Sequence, residues 1–290
     1  MIEGLFRVRL DDGTIRLAVG PPDTGPRRLL DAGLTIAAVL RAGADGFADR
    51  VAGNTASDPI DPSTTFVILA PVDDQEVWAA GVTYRRSRDA RKDESSVADV
   101  YDLVYDAQRP ELFFKAPGWR VVRPDDAIGV RADSRWDVPE PELGLVIAAD
   151  GRIAGWVIGN DVSSRTIEGE NPLYLPQAKV YDRSCALGPC LVPRAALDEP
   201  FEIRLRIERD GRPVFEGATS TSAIVRRFED LAAALFDALT FPDGAILLTG
   251  TGVVPDAAFT LSPGDVVEIA IEGLGRLRNP VVAVGGRAGG

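Results

Sequence analysis

From residue 127 to residue 271 the apolar residues arrive in short, β-branched runs punctuated by Gly, Pro, Asp and Ser: Ala127 to Val130, Leu143 to Ala148, Ala154 to Ile158, Cys190 to Val192, Phe201 to Ile207, Ile246 to Leu248 and Val266 to Ile271. Runs of that length suit strands, because helices need longer periodic stretches. One longer stretch, Val225 to Leu239, carries helical spacing. The pattern predicts an α+β chain that is predominantly β, not a repeat of strand and helix.

The first 72 residues read differently. Leu5 to Leu10 and Ile15 to Val19 alternate with polar residues around Asp11-Asp12-Gly13-Thr14, which predicts a hairpin. Leu29, Leu30, Leu34, Ile36, Val39 and Leu40 have helical spacing and predict a helix over Arg28 to Arg41. A Gly/Asp/Ser/Pro-rich stretch, Ala42 to Thr65, separates it from a short strand, Phe66 to Pro71. A boundary near residue 72 follows, giving a small α+β N-terminal domain (1–72) and a catalytic domain (73–290). Beyond it, Val77 to Val82 reads as a buried strand, and the densely charged Arg85 to Asp106 as an exposed helix or a mobile lid.

Composition excludes several chemistries. The 290 residues contain no histidine, which removes His-dependent triads and imidazole metal ligands, so acid/base work falls to carboxylates, Lys, Tyr, Cys or bound water. A net charge of -12 opposes nucleic acid and anionic membranes as partners. The two cysteines, Cys185 and Cys190, have no further Cys or His to complete a zinc site and read as buried thiols. Charges in the opening Met1 to Leu10, and the lack of any run near the ~20 apolar residues of a membrane span, lead to the expectation of a cytosolic protein. No internal repeat and no nucleotide-binding glycine loop occurs.

Three acidic positions then stand out. Glu140 and Glu142 enter the apolar strand at Leu143, and residues two apart on an extended chain point to the same side. Such a pair is either a solvated edge or the seat of a hard cation that relieves the repulsion, and oxygen-only ligation favours magnesium, with manganese or calcium as substitutes. Asp161 ends the next strand after the turn at Asp150-Gly151, which would return it antiparallel beside the first. Lys179, ordinarily a solvated group, could there compensate charge and bind an anion.

The order of these segments resembles the fumarylacetoacetate hydrolase superfamily. The resemblance runs over about residues 76 to 255, through Pro110 to Lys115, Glu140-Pro141-Glu142-Leu143, Asn160 to Arg165, Leu187-Gly188-Pro189 and Thr249-Gly250-Thr251. It implies a rolled β-sheet catalytic domain, with Glu140, Glu142 and Asp161 as metal ligands, Lys179 beside the metal and Thr251 on the substrate carboxylate. It also implies a homo-oligomer, dimer or tetramer. In the carbon–carbon hydrolases of that family the segment after the first strand reads Gly-x-Asn-Tyr-x-x-His. Here it is Gly81-Val82-Thr83-Tyr84-Arg85-Arg86-Ser87, so Ser87 stands at the position of the hydrolytic histidine. Thr83 and Tyr84 are the implied substrate contacts.

The stretches Arg109 to Lys115 and Glu168 to Gln177, together with the charged Arg85 to Asp106, are similar to the 2-keto-3-deoxy-D-arabinonate dehydratase branch. That branch implies magnesium-dependent dehydration of a 2-keto-3-deoxy pentonate to 2,5-dioxopentanoate, with Glu111 or Lys179 moving protons. Other reactions of 2-keto acids in the superfamily (acylpyruvate hydrolysis, decarboxylation, isomerisation) and a non-catalytic sugar-acid binder remain as alternatives.

Overall fold

The computed structural model describes residues 2–52, 58–84, 107–253 and 255–286. The charged stretch Arg85 to Asp106, and with it Ser87, lies outside the described residues.

Two strands at the centre carry the site, and both are buried along their whole length: Pro141–Ile147 and Ile153–Asp161. They pair antiparallel through the turn at Gly151, whose φ of 78° is a conformation that glycine adopts without strain. Full burial requires apolar residues facing both ways. Leu143, Leu145 and Ile147 enter one apolar core while Val146 enters another, and Trp156 and Ile158 divide in the same way from Val157.

Among the described residues these strands lie in an 11-stranded sheet. Cys185–Pro193 flanks Ile153–Asp161 and joins it to the N-terminal hairpin, Gly4–Leu10 and Ile15–Gly20. On the other side Ala245–Leu248 pairs antiparallel with Pro141–Ile147 and parallel with Glu76–Gly81, and Glu111–Ala116 closes that edge. One face is covered by a five-stranded sheet, ordered Arg212–Ser220, Glu202–Arg209, Val266–Ile271, Gly275–Val284, Ile128–Arg131. The core between the sheets includes Trp156 edge-on against Phe201 and Phe228, the latter from the helix Phe228–Phe236. The other face receives Ile36, Leu40, Phe47 and Val51 from two short helices.

The predicted helix over Arg28 to Arg41 is corrected. Arg28–Leu29 is a strand paired with Ile15–Gly20, and the helix spans only Ile36–Arg41. Gly33, at φ 80°, turns the chain, and the Thr35 hydroxyl caps the new helix by accepting from the Ala38 N–H. The stretch read as an open connection contains a second helix, Gly43–Ala52, which buries Phe47 and Val51 four residues apart.

Candidate metal centre and active site

The antiparallel register sets Glu142 opposite Gly159 and Pro141 opposite Asn160, so Glu140 arrives beside the end of Ile153–Asp161. Asn160 fixes the approach by accepting the Glu140 N–H at 3.2 Å, while the Asp161 N–H donates to the Glu140 carbonyl at 3.0 Å. One carboxylate oxygen from each of Glu140, Glu142 and Asp161 lies within 4.8 Å of the others, and all three side chains are buried. The three acidic positions singled out in the sequence therefore converge.

Lys179 ends the helix Leu175–Lys179, fully buried. Its Nζ donates to Glu140 Oε2 at 2.8 Å, Asp161 Oδ2 at 3.0 Å and Ser163 Oγ at 2.6 Å. Three other residues that the sequence did not single out complete the ion chain. Lys115 Nζ lies 2.5 Å from Asp161 Oδ1. Arg165 joins Glu140 Oε1 at 2.9 Å to Glu168 Oε2 at 3.5 Å. The Ser164 hydroxyl, accepting from the Ile167 N–H, starts the helix Arg165–Glu170 that presents both Arg165 and Glu168.

Burial, reinforced by the charges of Asp161 and Glu140, pushes the Glu142 carboxyl well above the usual carboxylate range. An oxygen-only pocket that disfavours its own third negative charge suits a hard divalent cation, which would reverse that repulsion. The residues present fit magnesium.

A wall of small residues faces Glu142. The Gly250 N–H donates to Glu142 Oε2 at 2.6 Å. The Thr83 hydroxyl donates to the Thr249 carbonyl at 2.6 Å, tying the end of Glu76–Gly81 to this loop. Thr251 is buried with its hydroxyl turned to Val253, 3.3 Å from that carbonyl and 3.2 Å from that N–H. Tyr84 packs on Gly252; its phenol oxygen is buried and has no hydrogen-bond partner among the described residues. Burial, then the Glu142 charge, raises that phenol's pKa, so it stays a protonated donor. Glu111 pairs with Gly81, and a Cβ at Gly81 would fall 2.2 Å from Glu111 Oε2, so the carboxylate occupies the space glycine leaves. The structure thus places Thr83, Tyr84 and Thr251 around one loop, and Glu111 on the edge strand beside it.

A family model described as fumarylacetoacetate (FAA) hydrolase, C-terminal, matches residues 76–282. A probable 2-keto-3-deoxyxylonate dehydratase of Haloferax volcanii is 52% identical over 241 residues, covering 81% of this chain and 83% of that one. A 2-dehydro-3-deoxy-D-arabinonate dehydratase of Saccharolobus solfataricus is 44% identical over 221 residues, 74% of each. Among solved structures, 2-keto-3-deoxy-D-arabinonate dehydratase complexed with magnesium and 2,5-dioxopentanoate superposes with a TM-score of 0.83 at 34% identity, over 97% of this chain and 99% of that one.

Proposed function

The chain belongs to the fumarylacetoacetate hydrolase family, and from that premise we propose that it is a hydro-lyase converting a 2-keto-3-deoxy pentonate to 2,5-dioxopentanoate with magnesium. The observation that carries this reading is the buried group of Glu140, Glu142 and Asp161, with Lys179 bonded to two of them, in a chain without histidine.

When bound, the cation supplies a Lewis acid for the carboxylate and C2 carbonyl of the keto acid, acidifying the C3 hydrogens. Glu140, Glu142 and Asp161 would hold it. Lys179 Nζ donates to Glu140, Asp161 and Ser163, which suits compensation of the carboxylate charge. Glu111, a carboxylate outside the group of three, is the proposed base, with Lys179 as the competing candidate. Glu111 takes a C3 proton and the C4 hydroxyl leaves as water with a proton. Loss of a C5 proton, return of a proton to C3 and transfer of the enol proton to C4 then give the aldehyde. Tyr84 and Thr83 orient the substrate from the side of the Thr249–Thr251 loop, with Thr251 serving its carboxylate.

The reading extends to organisation and place. The family match beginning at residue 76 supports a division near residue 72, although Gly4–Leu10 hydrogen-bonds to Cys185–Pro193 within one sheet. A cytosolic homo-oligomer, dimer or tetramer, is proposed. Two buried free thiols suit a reducing compartment, and no helix among the described residues is long and apolar enough to cross a membrane. Light scattering giving a folded monomer would count against the assembly.

The test is turnover of 2-keto-3-deoxy-D-arabinonate with magnesium, with chelator, and in Glu142→Gln. Metal-dependent 2,5-dioxopentanoate that disappears in the variant is expected. Carbon dioxide or pyruvate as product would move the assignment to another 2-keto acid reaction.

A further inference from the structure

In the strand Glu111–Ala116 a lysine, Lys115, sits among Leu112, Phe113, Phe114 and Ala116, and it has no exposed surface. A buried ammonium is tolerated only when its partners repay the lost hydration, so the partners indicate its task. Lys115 Nζ is ion-paired with Asp161 Oδ1 at 2.5 Å and donates to the Val162 carbonyl at 3.0 Å and to the Lys179 carbonyl. Two carbonyls thus accept from it, and the Asp161 carboxylate is its ion-pair partner.

Strand register explains how a side chain from the sheet edge reaches them. Val77 pairs with Ala116 and Trp78 with Phe114, which leaves Lys115 as the extra residue of a bulge. A bulge bends the strand locally and re-aims a side chain.

We propose that Lys115 is a positioning residue that sets Asp161 as a ligand. The Asp161 carboxylate lies between two ammonium groups, Oδ1 to Lys115 and Oδ2 to Lys179, so its plane is fixed before any cation arrives. Through the Lys179 carbonyl the same group anchors the peptide from which Lys179 reaches Glu140. The inference rests on the reading of Glu140, Glu142 and Asp161 as the metal centre.

The sign of one measurement separates positioning from simple charge compensation. Lys115 is a cation beside a cation site, so electrostatics alone makes Lys115→Met bind a divalent ion more tightly. Positioning makes it bind more weakly. Mn2+ titration of the metal-free, full-length protein, followed by the electron paramagnetic resonance of free Mn2+, is expected to show at least tenfold weaker binding in Lys115→Met. Lys115→Arg is not expected to restore it, because a planar fork does not fit a site shaped to a point charge.

Unchanged or tighter Mn2+ binding by folded Lys115→Met would overturn the inference and leave the metal centre standing. No Mn2+ binding by the unaltered chain would overturn the centre itself. If Lys115→Met fails to fold, the comparison moves to Asp161→Asn, where both charged partners of the pair can be removed together. There Lys115→Met is expected to weaken Mn2+ binding by much less than tenfold, and an undiminished tenfold loss would overturn the proposal.

Discussion

The backbone N–H of Gly250 donates to Oε2 of Glu142 at 2.6 Å, so a carboxylate on one strand is oriented by the loop that follows its neighbour. Gly250 has φ 88°, and a Cβ there would lie 2.1 Å from the Thr83 hydroxyl oxygen. Gly250→Ala is therefore expected to shift the loop and lower kcat/KM about 100-fold, the scale of an ångström-sized misplacement. Steady-state kinetics at saturating magnesium, with circular dichroism to confirm folding, checks it. Activity within threefold of the unaltered chain would show that the N–H contact is dispensable.

Magnesium is expected to raise the melting temperature, because it binds only the folded arrangement of the three carboxylates. At a hundredfold excess over the dissociation constant the gain is about 2.7 kcal/mol. In Glu142→Gln the metal-free protein is expected to melt no lower than its parent, since burial and two neighbouring carboxylates already disfavour the Glu142 charge. The magnesium-induced rise is expected to vanish. Differential scanning calorimetry with and without chelator reads both effects.

Asp137 is nearly fully buried, with Oδ1 lacking a hydrogen-bond partner among the described residues. Burial pushes its pKa up to about 6, against lowering contributions from Ser134 and Arg131. An acid whose folded pKa exceeds its unfolded value contributes stability that is full below the unfolded pKa and lost as pH rises through the folded one. The chain is expected to lose about 2 kcal/mol from this group between pH 4 and pH 7.5. Asp137→Asn is expected to remove that slope, in urea denaturation measured at several pH values. A parallel pH dependence in both proteins would contradict the assignment.

Tyr84 separates binding from packing. Because its phenol oxygen has no partner among the described residues, Tyr84→Phe is expected to change stability by less than about 1 kcal/mol. If the hydroxyl serves the substrate, KM for the keto acid is expected to rise about tenfold, as for one lost hydrogen bond. Unaltered kinetics would leave Tyr84 as a wall.

The interior strands were legible because full burial gives uninterrupted β-branched runs, as in Leu143 to Ala148, and the convergence of Glu140, Glu142 and Asp161 followed from strand periodicity and one glycine turn. Arg212–Ser220 was not, because its edge position leaves most of it facing solvent and removes the apolar alternation. The six-residue helix Arg165–Glu170 is too short to build a periodic signal. The roles of Lys115 and Arg165 are not legible for another reason: a charged residue's role depends on partners far along the chain. One clue was present, since a lysine directly after Leu112-Phe113-Phe114 has to find a buried partner.

The insertion of Ala245–Leu248 between Pro141–Ile147 and Glu76–Gly81 bears on how the chain is made. Until residue 248 leaves the ribosome, both neighbouring strands keep an open edge beside the nascent carboxylates, and open apolar edges pair with other chains. A product ending near residue 244 is therefore expected to aggregate rather than persist as a weaker catalyst. Closure of the sheet is then a late event in synthesis, set by one four-residue strand.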